Sequence, residues 1–264
     1  MTPLYHLEPG AWSQMIGVFT DIDDTLTTDG AITPDALSAL HELRAAGLTV
    51  IAVTGRPVGW SEPFALRWPL HAIVAENGSV ALLNQRGQLS KIYQQTEGVR
   101  AHNFARLQLA AARVLQEVPG ATLARDSAGR ETDIAIDHSE FAHLSDAQIE
   151  QVVSVMRAEG LNATVSSIHI NGWIGDHDKW QGACWIAREL LERDLSAEID
   201  RWVYVGDSTN DQRMFEHFQH SVGVANIRRF ESQMQHLPRW ITQAERGGGF
   251  SEMAARLLIE RKAA

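Results

Sequence analysis

The sequence predicts an α/β protein in which a parallel sheet, covered by helices on both faces, carries an inserted α+β domain. Short apolar runs alternate with helical patterns near both ends of the chain, as strands of a parallel sheet alternate with covering helices. The middle of the chain instead alternates polar and apolar residues, which is typical of a sheet with one exposed face. The chain also has 264 residues, more than one hydrophobic core usually holds.

The first part of the sheet is predicted from three apolar runs that each lead into a polar loop. Residues 16–20 (IGVFT) indicate a buried strand. Thr33 and Pro34 have the N-cap and first-turn preferences of a helix start. The runs 48–53 and 71–78 predict the second and third strands.

The same alternation returns in the last third of the chain. The predicted elements there are a helix over 178–194, a strand over 201–207, a strand over 220–226 and a helix over 246–260. They extend the parallel sheet begun by the first three strands.

The middle of the chain predicts a separate domain. Its predicted elements are a hairpin over 79–94, a helix over 99–118, a strand over 131–138, a helix over 145–160 and a strand over 163–172. We expect a discontinuous core domain at 1–82 and 173–264 and an inserted α+β domain at 83–172.

Composition and charge narrow the possible partners. The formal net charge is −10, so nucleic acid is not the expected partner, because phosphate backbones attract basic surfaces. The single cysteine, Cys184, permits no disulfide within the chain and fits a reducing compartment. The N-terminus lacks a signal-peptide pattern, and no apolar run reaches the ~20 residues of a membrane span. We expect a cytoplasmic protein without a membrane partner; its oligomeric state is not predicted.

Four polar clusters follow predicted strands or open predicted helices. They are DIDDT at 21–25, TGR at 54–56, the loop leading into HDK at 177–179, and GDSTND at 206–211. Because sites in open parallel sheets form at the carboxyl ends of strands, these clusters are expected to meet. Crowded carboxylates are tolerated when a cation binds among them, and hard oxygen ligands favour Mg²⁺. Asp21 and Asp207 are the candidate ligands.

This pattern of residue types suits phosphoryl transfer. A carboxylate beside a metal-held phosphate is able to attack phosphorus. A second carboxylate two residues along the chain is near enough to protonate the leaving oxygen and then to activate water. Thr54 is a hydrogen-bond donor for a phosphoryl oxygen, and Lys179 balances negative charge.

The four clusters resemble the motifs of the haloacid dehalogenase (HAD) superfamily of phosphotransferases. DIDDT fits D-x-D-x-T, VTGR the second motif, Lys179 the third and GDSTND the fourth, in matching order along the whole chain. Ser208 stands where glycine is common, a small departure among intact acidic positions. The insert resembles the α/β cap of the Cof-like subfamily IIB, which includes sucrose-phosphate, mannosyl-phosphoglycerate and trehalose-phosphate phosphatases. AENGS at 75–79 resembles the core–cap junction of that subfamily.

The resemblance implies a Rossmann-like core, a cap over the site, and a role for each matching residue. Asp21 is expected to be the nucleophile and a Mg²⁺ ligand, and Asp23 the general acid and base, with its backbone carbonyl on the metal. Asp207 is expected to be the third protein ligand, and Asp211 to hold a metal-bound water. The expected phosphate- or substrate-binding residues are Thr54, Gly55, Arg56, Lys179 and Asn210. The polar candidates for substrate contact in the insert are Arg125, Asp126, Arg130, His138, His169 and Asn171.

We therefore expect a Mg²⁺-dependent phosphatase that hydrolyses a small phosphorylated metabolite, with sugar phosphates favoured, through an aspartyl-phosphate. Asp23 favours phosphoryl transfer over dehalogenation, because a leaving alcohol needs a proton. A phosphosugar mutase uses the same two aspartates and stays open. A glycosyltransferase is disfavoured by the other three clusters, and a phospho-receiver module by the large insert. Asp24 has no assigned role, and Arg56 either touches phosphate or caps the core.

Overall fold

A computed structural model of the chain describes residues 1–262, so the last two residues of the predicted core domain, 263–264, lie outside the described residues. The strands, in chain order, are β1 (Thr2–Pro3), β2 (Gly17–Thr20), β3 (Thr27–Thr28), β4 (Ala31–Ile32), β5 (Thr49–Val53), β6 (Ala72–Ala75), β7 (Val80–Gln85), β8 (Gln88–Tyr93), β9 (Thr122–Leu123), β10 (Asp133–Asp137), β11 (Asn162–Val165), β12 (His169–Trp173), β13 (Trp202–Gly206), β14 (His220–Gly223) and β15 (Trp240–Ile241). The α-helices are α1 (Pro34–Ala45), α2 (Val58–Arg67), α3 (Glu97–Glu117), α4 (Asp146–Ala158), α5 (Lys179–Leu191), α6 (Gln212–His217) and α7 (Arg246–Lys262).

The large sheet confirms the predicted α/β fold. Its nine strands lie in the order β1-β15-β14-β13-β2-β5-β6-β7-β8. Across the sheet, the neighbouring strands from the β1 edge as far as β6 are all parallel to one another. At the other edge, β7 pairs antiparallel with β6, and β8 pairs antiparallel with β7. The strands β13, β2 and β5, which lead into three of the polar clusters, are neighbours at the centre of this sheet.

Both faces of the large sheet are covered, as the apolar strands require. Val18 of β2 packs into a cluster with Leu40 of α1 and Phe250 of α7. The next residue, Phe19, packs on the opposite face with Ile186 of α5 and Phe215 of α6. Successive side chains of a strand point to opposite faces, so a strand buried on both faces is apolar throughout.

A second, antiparallel sheet of four strands lies within the chain segment between β8 and α5. Its strand order is β11-β12-β10-β9, and all its pairings are antiparallel. Helices α3 and α4 pack on it through an apolar cluster that includes Leu107, Val152 and Ile170. We call residues 97–173, which form this sheet and its helices, the inserted unit.

The hairpin predicted over 79–94 forms as β7 and β8, but these strands belong to the large sheet. The expected boundary at residue 83 thus falls inside that sheet. We propose that the inserted domain begins after β8, near residue 94, and ends with β12.

The single strand predicted over 163–172 is wrong, because this stretch forms two strands. Strands β11 and β12 pair with Val165 opposite Ile170, and the backbone N–H of Ser166 donates to the carbonyl of His169 at 2.8 Å. Two consecutive serines, which favour turns over strands, stand at the bend. The turn they form is part of the candidate site described below.

The helices of the described chain include none that is both long enough and apolar enough to cross a membrane.

Two of the helices begin at the residues whose capping preferences predicted them. Pro34 occupies the first turn of α1, and Ser145 forms a reciprocal capping box with Gln148 at the start of α4.

A substitution at Gly17, the first residue of β2, would show how tightly the centre of the large sheet is packed. An added Cβ would overlap the ring of Trp202 and lie 2.7 Å from the carbonyl oxygen of Thr49. We expect Gly17→Ala to lower the free energy of unfolding by about 1–3 kcal/mol, the usual cost of overpacking a core. Chemical denaturation measures this, with Gly98→Ala in α3 as the control, since nothing lies within 4 Å of a Cβ added there. Equal stability of the Gly17→Ala variant and the unaltered protein would contradict this packing.

Candidate active site

The polar clusters meet at the carboxyl edge of the large sheet. Asp21 follows β2, Thr54 follows β5 and Asp207 follows β13. The backbone N–H of Asp21 donates to the carbonyl of Val205 at 2.9 Å, so the sheet pairing itself places this carboxylate beside the β13 loop. The crossover order of neighbouring parallel strands therefore brings together residues that are far apart in sequence.

Lys179 lies at the centre of the charge cluster. Its Nζ is 2.8 Å from Oδ1 of Asp21 and 2.7 Å from Oδ1 of Asp211. The side chain is only 2% exposed. Although burial lowers the pKa of Lys179, the carboxylates of Asp21 and Asp211 raise it above its ordinary value, so the ammonium stays charged. Asp178 caps the helix that begins at Lys179, by accepting a hydrogen bond from the backbone N–H of Gln181.

Asp211 is held by donors on both of its oxygens. Oδ2 accepts from the backbone N–H groups of Asp207 and Ser208 at 2.9 and 3.1 Å, and Oδ1 accepts from the hydroxyl of Tyr204 at 2.5 Å. Gly206 permits this arrangement, because a Cβ at that position would overlap the Asp211 carboxylate. The GDSTND cluster is thus folded around Asp211 rather than spread into solvent.

Asp207 is fully buried, and Lys179 pairs with its neighbours Asp21 and Asp211 instead. Its carboxylate accepts from Nδ2 of Asn226 at 3.0 Å and from Oγ1 of Thr25 at 3.4 Å, while Arg229 lies 3.8 Å away. Burial, followed by the charges of Asp211 and Asp21, raises the pKa of Asp207 well above its usual range.

The carboxylates of Asp21, Asp207 and Asp211 form a set that fits a hard divalent cation. One oxygen of each lies within 4.8 Å of the others, and residues 1–262 contain no second group of this kind. Burial, opposed by the nearby Lys179 and reinforced by the charge of Asp211, raises the pKa of Asp21 to about 7. A bound cation would offset the negative charge that Lys179 leaves uncompensated, and all-oxygen ligands favour Mg²⁺.

Asp23 is paired with Arg56 rather than with Lys179. The Arg56 guanidinium donates to Asp23 through Nε at 2.9 Å and through Nη2 at 3.0 Å. The same guanidinium reaches two acidic residues of the inserted unit, Asp126 at 3.1 Å and Glu140 at 2.9 Å. Arg56 is 5% exposed, so this bridge between the sheet and the inserted unit is buried.

The inserted unit closes over these residues and leaves a small enclosed cavity. Its volume is about 10 Å³, room for about one water molecule. The lining residues from the large sheet and its loops are Asp21, Asp23, Thr54, Gly55, Arg56 and Asn210, and those from the inserted unit are Ser166, Ser167, Ile168, His169 and Asn171. Two carboxylates thus face one space, and only Asp21 also contacts the Lys179 ammonium.

The structure brings together all the site residues expected from the motifs, although their roles stay predictions. Of the polar candidates in the insert, His169 and Asn171 line the cavity, and Asp126 and Arg130 lie directly behind it, ion-paired to each other. Arg125 lies elsewhere, with its guanidinium 3.6 Å from the ring centre of Phe141. The remaining candidate, His138, lines an outer groove.

Asn226 is a site residue that the sequence reasoning missed. Its Nδ2 donates to Oδ2 of Asp207 and to the carbonyl of Asp24 at 3.0 and 3.1 Å. The signal was present, because Asn226 is the polar residue that ends the strand predicted over 220–226. Asp24, left without a role, pairs with Arg229 at 3.1 Å and Arg246 at 3.3 Å and so anchors its loop.

Comparison with known proteins agrees with this arrangement. Residues 18–106 match a family model described as haloacid dehalogenase-like hydrolase. A curated relative, phosphoglycolate phosphatase of Methanothermobacter thermautotrophicus, is 25% identical over 257 residues, covering 92% of this chain and 99% of the relative. The predicted resemblance to the HAD superfamily is confirmed.

Two solved structures share the fold over more than nine tenths of both chains. A protein of Thermoplasma acidophilum superposes with a TM-score of 0.70 at 16% identity, over 93% of this chain and 99% of that protein. Sucrose-phosphatase from Synechocystis sp., solved with sucrose and phosphate, superposes with a TM-score of 0.64 at 16% identity, over 92% and 98%. At this identity the comparison concerns the fold alone.

The buried carboxylate of Asp207 gives a prediction for the protein kept free of divalent cations by EDTA. We expect Asp207→Asn to raise the melting temperature, because the neutral amide removes a buried negative charge of nearly the same shape. The raised pKa means that folded Asp207 holds its proton to higher pH than the unfolded chain does. The stability that Asp207 contributes is therefore lost as the pH rises, and the advantage of the asparagine variant grows with pH.

Thermal unfolding with and without Mg²⁺ measures this effect. Added Mg²⁺ is expected to stabilise the unaltered protein and to leave Asp207→Asn nearly unchanged. Asp200→Asn, at an exposed aspartate, is the matched control and should respond to Mg²⁺ normally. A lower melting temperature of Asp207→Asn in EDTA would contradict the charge argument.

Proposed function

We propose that this relative of the haloacid dehalogenase-like hydrolases is a Mg²⁺-dependent phosphatase that hydrolyses a small phosphorylated metabolite through an aspartyl-phosphate. The observation that carries the proposal is the contrast between Asp21 and Asp23. Both line one enclosed cavity, yet Asp21 lies in the Lys179–Asp211 cluster and Asp23 lies outside it, beside Arg56. Two carboxylates in such different surroundings suit different roles in one reaction.

Asp21 is the proposed nucleophile. Its carboxylate attacks phosphorus in line, the bond from phosphorus to the substrate oxygen breaks, and an aspartyl-phosphate forms. Asp23 gives its proton to the departing oxygen and then takes a proton from a water molecule that attacks the same phosphorus. As the oxygen of that water bonds to phosphorus, the bond between phosphorus and the Asp21 oxygen breaks. Inorganic phosphate leaves, Asp21 is again a carboxylate and Asp23 again carries its proton.

The carboxylates of Asp21 and Asp207 would hold the Mg²⁺ ion, together with the backbone carbonyl of Asp23 that the resemblance implies. Asp211, whose oxygens already accept from four protein donors, would lie beside the ion and hold a water bound to it. Bound there, Mg²⁺ supplies positive charge against the phosphoryl oxygens. Lys179 keeps the carboxylates of Asp21 and Asp211 in place and adds a second positive charge at the edge of the cavity.

The phosphoryl oxygens are proposed to bind the loop 54–56 together with Lys179 and Asn210. Thr54 is 1% exposed and lines the cavity, where Gly55 lets the backbone approach the phosphate. Arg56 is placed to reach the substrate if it exchanges one of its present carboxylate partners for an anionic or hydroxylated group.

We propose that the inserted unit acts as a cap that moves to admit substrate. The enclosed cavity, at about 10 Å³, is too small for any phosphate ester. The closed arrangement is held by the Arg56 bridge and by the Thr209 hydroxyl, which donates to the carbonyl of Val165 at 2.5 Å. Closure of such a unit excludes water from the reacting phosphate.

The substrate is proposed to be a sugar phosphate or another small phosphorylated metabolite, since a closing cap encloses small molecules. Phosphoglycolate joins the candidates, because the curated relative carries that substrate in its name. A phosphosugar mutase uses the same two aspartates and differs in returning the phosphoryl group to a hydroxyl. A cytoplasmic location stays a prediction from the sequence.

Release of inorganic phosphate tests the proposal. We expect Mg²⁺-dependent release from at least one member of a panel of hexose phosphates, phosphoglycolate and phosphoglycerate, and its loss in EDTA. Asp21→Asn is expected to abolish release while leaving the fold intact, as circular dichroism would show, because the amide cannot attack phosphorus. Asp200→Asn is the matched control. Substantial turnover by pure Asp21→Asn protein would exclude the mechanism, and isomer formation without phosphate release would indicate the mutase.

The role of Asp23 as the acid is tested by the leaving group. We expect Asp23→Asn to lower kcat/KM for an alkyl phosphate by about 10²–10⁴-fold, the usual contribution of general acid catalysis. The loss should be much smaller for p-nitrophenyl phosphate, whose phenolate leaves without a proton. Steady-state kinetics on the two substrates provide the comparison. Equal losses on both substrates would show that Asp23 acts in some other way.

A further inference from the structure

We propose that Arg130 and Asn171, two residues of the inserted unit, are positioning residues for the phosphate-binding loop 54–56. They hold the carbonyl of Gly55 so that the Thr54 hydroxyl is presented to phosphate as a hydrogen-bond donor. This inference rests on the proposed phosphatase function and adds a reason for closure: the inserted unit completes the phosphate site as well as covering it.

Each carbonyl of the loop 54–56 has a hydrogen-bond donor, but the donors differ. The carbonyls of Thr54 and Arg56 accept from the backbone N–H groups of Asn77 and Glu76, each at 3.0 Å. The carbonyl of Gly55 accepts from two side chains of the inserted unit, Nη1 of Arg130 at 3.0 Å and Nδ2 of Asn171 at 3.2 Å. The middle peptide of the loop is therefore the one that depends on the inserted unit.

That middle peptide sets the direction of the Thr54 hydroxyl. The Gly55 carbonyl and the Arg56 N–H belong to one planar peptide group and point to opposite sides of it. With the carbonyl held by Arg130 and Asn171, the N–H donates to Oγ1 of Thr54 at 3.0 Å. Because this bond uses one lone pair of Oγ1, the hydroxyl hydrogen stays available to donate into the cavity that Thr54 lines.

The loop needs this outside support because glycine does not hold a peptide plane in one orientation. A larger residue would fit tightly at position 55, since a Cβ there would lie 3.1 Å from Oδ1 of Asn171 and 3.2 Å from Oδ1 of Asn77, and these amides would have to shift. The anchors themselves are fixed, because Asp133 accepts from Arg130 at 2.8 Å and from Asn171 at 3.2 Å. Arg130, Asn171 and Asp133 are all nearly or fully buried.

Arg130 and Asn171 are proposed to position the loop 54–56 rather than to contact the substrate. Arg130 does not line the cavity, so it acts on phosphate only through the loop. If Asn171 and Arg130 work through the Thr54 hydroxyl, removing that hydroxyl should also remove most of their effect. A double-mutant cycle measures such dependence directly.

The test is the affinity for inorganic phosphate in the presence of Mg²⁺, measured by titration calorimetry on the full-length protein. We expect Asn171→Ala to weaken phosphate binding about 10–100-fold, the range typical for residues that orient a ligand-binding group. In the Thr54→Val background the same substitution should weaken phosphate binding by less than about threefold, because Asn171 is proposed to act through the Thr54 hydroxyl. Thr54→Ser keeps the hydroxyl and should restore the full effect of Asn171→Ala.

A second cycle with Arg130→Lys repeats the test with a residue outside the cavity. Lysine keeps a positive charge beside the buried Asp133, so this variant is expected to fold. It lacks the rigid guanidinium in which Nη1 reaches both Asp133 and the Gly55 carbonyl while Nη2 pairs with Asp126, so its hold on Gly55 is expected to weaken. Arg106→Met, at an exposed arginine of α3, is the matched control and should bind phosphate normally.

Three outcomes would overturn the inference. Equal losses with Thr54 in place and in the Thr54→Val background would show that these residues act independently of the hydroxyl. A lower melting temperature with unchanged phosphate affinity would show a purely structural role. Failure of the unaltered protein both to bind phosphate and to release it from any ester would overturn the proposed function, and this inference with it.

Discussion

The balance of charge around Lys179 is the constraint on which the rest of the site depends. Three buried carboxylates are gathered within a few ångströms, and one ammonium contacts two of them. Removing one partner of a buried ion pair typically costs about 3–5 kcal/mol, because the remaining charge is left without compensation. The parallel order β13-β2-β5 and the absence of a side chain at Gly206 serve this arrangement. A bound cation would stabilise these carboxylates in their charged forms, which is why we interpret the cluster as a candidate metal site.

The loop 54–56 connects the large sheet to the inserted unit through polar contacts. Arg56 joins Asp23 to acidic residues of the inserted unit, and the Gly55 carbonyl is held by side chains from that unit. The neighbouring AENGS stretch supports the junction, because the fully buried Glu76 accepts hydrogen bonds from the backbone of Val58 on one side and Thr132 on the other. The position of the inserted unit and the geometry of the loop 54–56 are therefore linked through short, largely buried polar contacts.

Much of this could be predicted from the sequence, for a physical reason. Side chains that follow adjacent parallel strands must lie close together, so the clusters around Asp21, Thr54 and Asp207 were expected to converge once the strands were recognised. The same reasoning would have placed Asn226, at the end of the next strand of the sheet, beside these clusters. The turn at Ser166 was missed because two short strands with a brief bend have the apolar pattern of one longer strand.

The sequence by itself determined the α/β alternation, the chemistry of the acidic motifs and the presence of an insert, because these depend on local periodicity and on the order of strands. Only the tertiary structure decided which charges pair. Arg56, a phosphate-binding candidate by its motif, lies between Asp23, Asp126 and Glu140. Arg130, one polar residue among several in the insert, reaches the Gly55 carbonyl. Such contacts depend on how the inserted unit sits on the large sheet, which is set by the packing of residues distant in sequence and leaves no local pattern to read.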